Sequence, residues 1–194
     1  MFEKTSPLAA VLEPGIYGSN TSQDGVLLQE REIVSLVQLT HWADTAKAAD
    51  KVVKSICKLI LPAGFSTAEN ANHCILPIGP GRYLIEGEDA GLEAALRKKI
   101  ADTTGSITGL SHGRIVFQVS GSKSTWVLAK GFALDFHLDA FPASTARASN
   151  HHDIGVTIRR IDEETFELYV MTSFARAFWH WLTSAAAEVG YEVR

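Results

Sequence analysis

A chain of 194 residues that is 46% hydrophobic and 21% charged has the composition of an ordinary globular protein, which excludes a disordered, fibrous or low-complexity one. Eighteen Lys and Arg against 22 Asp and Glu give a net charge of -4, opposite to the basic surplus of a dedicated nucleic-acid binder. The two cysteines, Cys57 and Cys74, have no CxxC spacing; they cannot build a four-thiolate metal site and suit a reducing compartment. Residues Met1 to Ala10 include Glu3 and Lys4 and read as no signal peptide, and apolar runs of a few residues fall short of the ~20 that cross a bilayer. A soluble cytoplasmic protein is expected, without membrane or nucleic-acid partners.

Residues 1–25, with Pro7, Pro14, Gly15, Gly18, Gly25 and the polar run Ser19 to Asp24, read as an extended N-terminal arm. Strands are predicted at Val26–Leu28 and Ile33–Leu39, where Val, Ile and Leu dominate. Ala46, Ala49, Val52, Val53, Ile56 and Ile60 then recur at helical spacing, with Asp44 as the cap and Pro62 as the stop. A hairpin is expected from His73–Leu76 and Tyr83–Ile85 around Pro80-Gly81. Asp89 should cap a second helix over Leu92–Ile100. After a strand near Ile107, alternation at Ile115, Phe117 and Val119 predicts another. A helix from Ser122 or Ser124 to Gly131 follows, then strands near Ala146–Ser149, Val156–Ile161 and Phe166–Met171. The last helix starts at Thr172 or Ser173 as cap and stops at Gly190.

Residues 26–102 and 103–194 thus share one rhythm of strand, helix, strand, strand, helix. The fold class expected is α+β: two split-βαβ-like halves with antiparallel sheets and helices on one face, packed as one compact unit.

The candidate chemistry is thin. Asp135, His137 and Asp139 would share a face if extended, as a divalent-metal set does, but their place after a helix and Gly131 favours a turn. His151-His152-Asp153 reads as no ligand set, since adjacent imidazoles point to opposite sides of a strand and are solvated on a loop, and Arg159-Arg160 reads as one exposed arginine and one edge contact. Gly79-Pro80-Gly81-Arg82 lacks the spacing of a phosphate-binding loop and reads as a hairpin turn. Ser111-His112-Gly113 lacks a GxSxG elbow, and both cysteines read as buried structural residues. No catalytic, cofactor-binding or metal-binding residue is assigned. The last helix carries an unusually wide apolar arc through Phe178, Trp179, Leu182 and Ala185. Either the chain itself covers that arc, or Trp179 and Phe178, with Arg176 and His180 as the wetter rim, form a partner interface.

Several stretches together carry a family resemblance. They are Leu110-Ser111-His112-Gly113-Arg114 with Val119-Ser120-Gly121, Leu128-Ala129-Lys130-Gly131 with Leu134-Asp135-Phe136-His137, and Ala140-Phe141-Pro142. Phe166-Glu167-Leu168-Tyr169-Val170 with Ser173-Phe174-Ala175 follows, and Trp179-His180-Trp181-Leu182 with Ala185 to Tyr191 closes the set. Ser6-Pro7-Leu8 and Ile78 to Arg82 with Leu84 fit as well. The chain resembles the gamma subunits of heterotetrameric sarcosine oxidases. It departs from them at Phe132, where many relatives have cysteine, and near Ala148-Ser149, where Gln-Thr is common.

The resemblance implies the folate-binding fold of the glycine-cleavage T protein and a complex with alpha, beta and delta subunits. It implies FAD, FMN, NAD and tetrahydrofolate in that complex, zinc in the delta subunit and no cofactor in this chain. The implied role is assembly, without a catalytic site here, in the oxidative demethylation of sarcosine to glycine. Two alternatives stay open: the same role in an oxidase for another N-methylated amine, and a free-standing folate-binding protein with Asp135 or Asp139 meeting the pterin.

Overall fold

The computed structural model describes residues 5–18 and 25–194; the turns expected over Ser19 to Asp24 lie outside the described residues. In chain order the strands and helices begin with β1 (Gly15–Tyr17), β2 (Val26–Arg31), β3 (Ser35–His41), α1 (Ala46–Cys57), β4 (Ala68–Glu69), β5 (His73–Gly79), β6 (Arg82–Gly87), α2 (Leu92–Lys99) and β7 (Gly105–Gly109). They continue with β8 (Arg114–Ser120), α3 (Ser124–Ala129), β9 (Thr145–His151), β10 (Ile154–Arg160), β11 (Thr165–Met171), α4 (Ala175–Ala186) and β12 (Tyr191–Val193).

The chain divides into two compact units, named here by their place in the sequence. The middle unit is Ile33–Ser111 with Ser144–Arg147, and the terminal unit is the described part of Met1–Glu32 with His112–Ala143 and Ala148–Arg194. The boundaries expected at 25/26 and 102/103 are therefore displaced. Residues 26–32 belong with the C-terminal half of the chain, and β7 belongs with the middle unit.

In the middle unit the sheet order is β4-β5-β6-β3-β7, every pair antiparallel. Ala49, Val53 and Cys57 of α1 and Leu92 and Leu96 of α2 are buried against Val37, Leu39, Ile75, Ile85 and Ile107. The four-residue spacing of the α1 set places it on one helical stripe, as an amphipathic helix on a sheet requires. The helix stops earlier than Ile60, because Lys58 turns left-handed (φ 59°) and its N–H closes back on the Lys54 carbonyl. Asp44 makes no cap bond: it lies inside a 3-10 turn, Ala43–Thr45, that runs straight into the helix. Asp89 does organise the next start, its Oδ1 accepting the Gly91 N–H at 2.8 Å ahead of α2.

The terminal unit has the sheet order β1-β12-β2-β8-β11-β10-β9. The pairs β1–β12, β2–β8, β8–β11 and β10–β11 are antiparallel, whereas β12 runs parallel to β2, in register Tyr191 with Val26. This parallel pair departs from the antiparallel sheets expected. Gly190 allows it: its left-handed turn (φ 81°) reverses the chain after α4, and its carbonyl accepts the Val26 N–H at 3.1 Å. A 3-10 turn, Thr172–Phe174, precedes α4, so neither Thr172 nor Ser173 caps it; the Thr172 hydroxyl donates to the His112 carbonyl instead. Nor do Ser122 and Ser124 cap α3, whose cap position is Lys123 and carries no side-chain bond. The core holds an aromatic cluster, with Phe117, Phe132, Phe136, Phe141, Phe166, Phe178 and Trp179 buried among Leu, Ile and Val. The N-terminal arm joins this core: Leu8 is fully buried, and Gly15–Tyr17 adds a strand to β12.

Candidate functional site

The apolar arc of α4 finds its cover within the terminal unit. Phe178 packs on Phe117 of β8 with ring centroids 5.3 Å apart, and Trp179 stacks on the same ring at 5.9 Å and 15°. Offset stacking of this kind adds to area burial. Trp179 is 5% exposed and Phe178 fully buried, so neither is the exposed anchor that the interface expectation required. The physical reason is the ring cluster that receives them, and the N-terminal arm is tied down beside α4 and β12 at three points. Arg176 Nε donates to the Pro7 carbonyl at 3.0 Å, Ser6 Oγ donates to the Glu30 carboxylate, and Leu8 inserts into the core.

Between arm, helix and strand lies a concavity of about 270 Å³ lined by Val11, Glu13, Tyr17, Arg176, His180 and Tyr191 among others, with Trp179 also in its wall. Tyr17 and Tyr191 stack across the β1–β12 pair at 5.3 Å, and the Tyr17 hydroxyl donates to the Glu13 carbonyl. Burial and the neighbouring Tyr17 raise the pKa of the Tyr191 phenol, although a hydrogen bond with Thr183 opposes them. The result is a shallow groove with aromatic walls, a cationic side at Arg176 and His180, and one carboxylate, Glu13. Of the four residues expected at an interface, these two polar ones line an open surface.

The remaining candidates separate. Asp135 Oδ1 accepts the His137 N–H at 2.8 Å, and the Asp139 N–H donates to His137 Nδ1 at 3.3 Å, so the segment is a turn held by its own side chains. Asp139 is 95% exposed in its side chain and Asp135 is also exposed, so neither offers a pterin a buried carboxylate. Among the described residues no three His, Cys, Asp or Glu side chains gather at metal-binding distance. Gly79 to Arg82 is the hairpin turn between β5 and β6. The Ser111 hydroxyl accepts the Leu36 N–H at 3.0 Å, a structural bond with no imidazole in it. Cys57 and Cys74 are both buried and not joined in a disulfide.

The histidine pair separates, with His151 buried and His152 exposed, and the expectation for the arginine pair is corrected. The His151 ring lies 4.0 Å from Trp181, with Phe132 and Phe178 at its edges, and Nδ1 meets the Gly131 carbonyl at 3.2 Å. Gly131 makes room for this, since a Cβ there would lie 2.0 Å from the Trp181 ring. Arg159 is buried beside Glu167, whose carboxylate also pairs with Arg31 and accepts the Tyr169 hydroxyl at 3.1 Å. Two guanidinium groups and a phenol offset the cost of burying one carboxylate there. Arg160 is 2% exposed and donates to four carbonyls: Phe136 and Phe141 at 2.8 Å, Asp162 and Glu163. Desolvation lowers its pKa, and the carbonyls of the 132–142 loop and the Phe166 ring at 4.9 Å solvate it in place of water.

Comparison with known proteins places this architecture. The profile of the "Sarcosine oxidase, gamma subunit family" matches residues 41–188. A sarcosine oxidase subunit gamma from Corynebacterium sp. (strain P-1) is 32% identical over 119 residues, which are 61% of this chain and 59% of that relative's length. The heterotetrameric sarcosine oxidase from Corynebacterium sp. U-96, solved with pyrrole 2-carboxylate, contains a chain that superposes with a TM-score of 0.82 at 23% identity, covering 95% of both. The glycine cleavage system aminomethyltransferase T from Bartonella henselae shares the fold at a TM-score of 0.59 and 15% identity, over 83% of this chain and 46% of that one. The chain belongs to the sarcosine oxidase gamma subunit family, and its α+β fold is the one expected.

Proposed function

We propose that this member of the family is an assembly subunit of a heterotetrameric sarcosine oxidase and does no chemistry itself. The observation that carries this reading is the family match at residues 41–188, which takes in α1 of the middle unit and α4 of the terminal unit alike. On this reading alpha, beta and delta subunits bring FAD, FMN, NAD, tetrahydrofolate and zinc, and demethylate sarcosine to glycine. The arm–α4 groove, with Arg176 and His180, is a contact surface for one of them. The titratable groups described above fit the role: the buried ones are engaged in holding the fold, and the exposed Asp135–Asp139 turn binds itself.

The test is to co-express the chain with the flavoprotein subunits of a heterotetrameric sarcosine oxidase and measure sarcosine-dependent oxygen consumption with and without it. Co-purification, with loss of the complex when the chain is omitted, is expected. A purified chain that demethylates sarcosine alone would overturn the reading. Fold similarity to the aminomethyltransferase motivates one competing reading, folate binding by the free chain. Calorimetric titration with tetrahydrofolate decides it, since heat from binding in the micromolar range would bring that reading forward.

A further inference from the structure

The two helices of the middle unit carry a charge distribution that the fold does not require. Lys47, Lys51 and Lys54 follow at spacings of four and three, which put them on one stripe away from the buried Ala49–Val53–Cys57 stripe, and Lys58 follows at the left-handed end of the helix. Arg97, Lys98 and Lys99 close α2, and Lys99 Nζ donates to Ser55 Oγ at 3.2 Å, so the two basic runs adjoin. Residues 46–58 and 92–99 hold seven basic side chains and two acids, an excess of five positive charges in a chain whose net charge is -4. Both acids are engaged: Asp50 accepts the Leu61 N–H at 2.7 Å, and Glu93 pairs with Arg97 at 2.8 Å.

A solvated helix face usually intersperses the two signs, gaining small i,i+4 ion pairs. Here the arrangement is unfavourable to the isolated chain. The Lys58 ammonium donates to the Ser55 carbonyl at 3.0 Å while Lys99 donates to the same serine's hydroxyl, so two like charges share one residue. An incoming carboxylate would relieve that repulsion. Apolar anchors stand at both ends of α1: Trp42 is 45% exposed and Ile60 56% exposed. An exposed tryptophan beside a charged rim is the anatomy of a protein interface, whereas a surface for a polyanion needs no isoleucine.

We propose that the α1–α2 face of the middle unit docks onto an acidic surface of another subunit of the oxidase, with the lysines steering and Trp42 and Ile60 anchoring. The inference rests on the assembly reading above. It is tested on the full chain, added back to the remaining subunits purified without it, with the association rate read by surface plasmon resonance. Failure of the wild-type chain to rejoin the complex would sink the assembly reading itself. If it rejoins, the K51E/K54E/K98E variant should associate about tenfold more slowly at about 50 mM salt, with the gap closing as added salt screens the charges. K51R/K54R/K98R should restore the wild-type rate, and all three chains should melt alike. Equal rates for wild type and the glutamate variant at low salt would refute the proposal. So would tight retention of duplex DNA at physiological salt by the wild type that the glutamate variant loses.

Discussion

The middle and terminal units run through the same series of elements, from β3 to β7 and from β8 to β12, yet they close their sheets differently. In the middle unit the last strand, β7, pairs with the first, β3. In the terminal unit that place beside β8 is taken by β2, and β12 is displaced outward to lie parallel to it. A strand from the start of the chain has been inserted into the plan, and the arm then follows it, adding β1 and burying Leu8. The cores differ as well: the buried residues of the middle unit's core are without aromatic rings, whereas seven Phe and Trp rings lie among the aliphatic residues of the terminal one. A shared topology therefore tolerates two closures and two core chemistries, because the helices need only an apolar sheet face to cover.

Removing one aromatic side chain should expose this difference most strongly. Phe178→Ala empties a fully buried ring that contacts Phe117, Phe132, His151 and Trp181, and should cost about 3–5 kcal/mol in urea unfolding. A conservative trim in the aliphatic core, Ile85→Val, should cost only about 0.5–1.5 kcal/mol. Equal losses would mean that the aromatic cluster is looser than its contacts imply.

Next in size is Arg160→Lys, which should cost about 2–3 kcal/mol by leaving carbonyls of Phe136, Phe141, Asp162 or Glu163 without a donor. The middle unit buries Ser35 and Glu86 but no arginine or lysine among the described residues, so it offers no counterpart. Greater protease sensitivity in the 132–142 loop should accompany the loss. Unchanged stability would show that a lysine ammonium or water can replace the guanidinium.

Cys57 gives the middle unit its own probe. Burial pushes its thiol up to about 11 from a usual 9.0. The folded state holds the thiol neutral, so this contribution is complete below pH 9 and is lost as pH rises through about 11. Two units correspond to about 2–3 kcal/mol. At pH 8 the thiolate fraction is about a hundredfold lower than in an unperturbed cysteine, and alkylation should slow by at least that factor. Rapid labelling of Cys57 in the folded chain would contradict its burial.

What the sequence reveals and conceals follows the range of the interactions. Helix α1 is legible because its apolar spacing is local, and so are the β5–β6 hairpin at Pro80-Gly81 and the alternation in β8. The insertion of β2 between β8 and β12 is not, because it joins residues 26 and 191, which no local pattern relates. Trp179 shows the same limit. The width of its arc is visible, but its cover is Phe117 of β8, a ring some sixty residues away in the chain that no local pattern relates to it. Arg159 and Arg160 read as surface residues because burial of arginine depends on partners distant in sequence, Glu167 for one and the loop carbonyls for the other. The lysine stripe on α1 was readable from its spacing alone.

The smallest expected effect is a pH dependence confined to the terminal unit, where His151 sits among rings. Desolvation lowers its pKa, the adjacent His152 lowers it further, and the bond to the Gly131 carbonyl raises it in partial compensation. A histidine whose folded pKa is depressed contributes stability that is present above the unfolded value of 6.5. That contribution is lost as pH falls towards the folded value, because the unfolded chain takes up the proton first. His152, with its ring centroid 4.5 Å away, is the neighbour whose like charge disfavours the His151 imidazolium. The groups packed on the other sides are uncharged: Phe132, Phe178, Trp181 and the Gly131 carbonyl. Replacing His151 by Gln removes both the titration and the stacking on Trp181, so the level of stability falls at every pH and only the slope is informative. Urea midpoints measured from pH 7.5 to pH 5 should fall more steeply for wild type than for His151→Gln. Parallel slopes would mean that His151 protonates in the folded state as readily as in the unfolded one, and that the aromatic pocket opens to admit water around it.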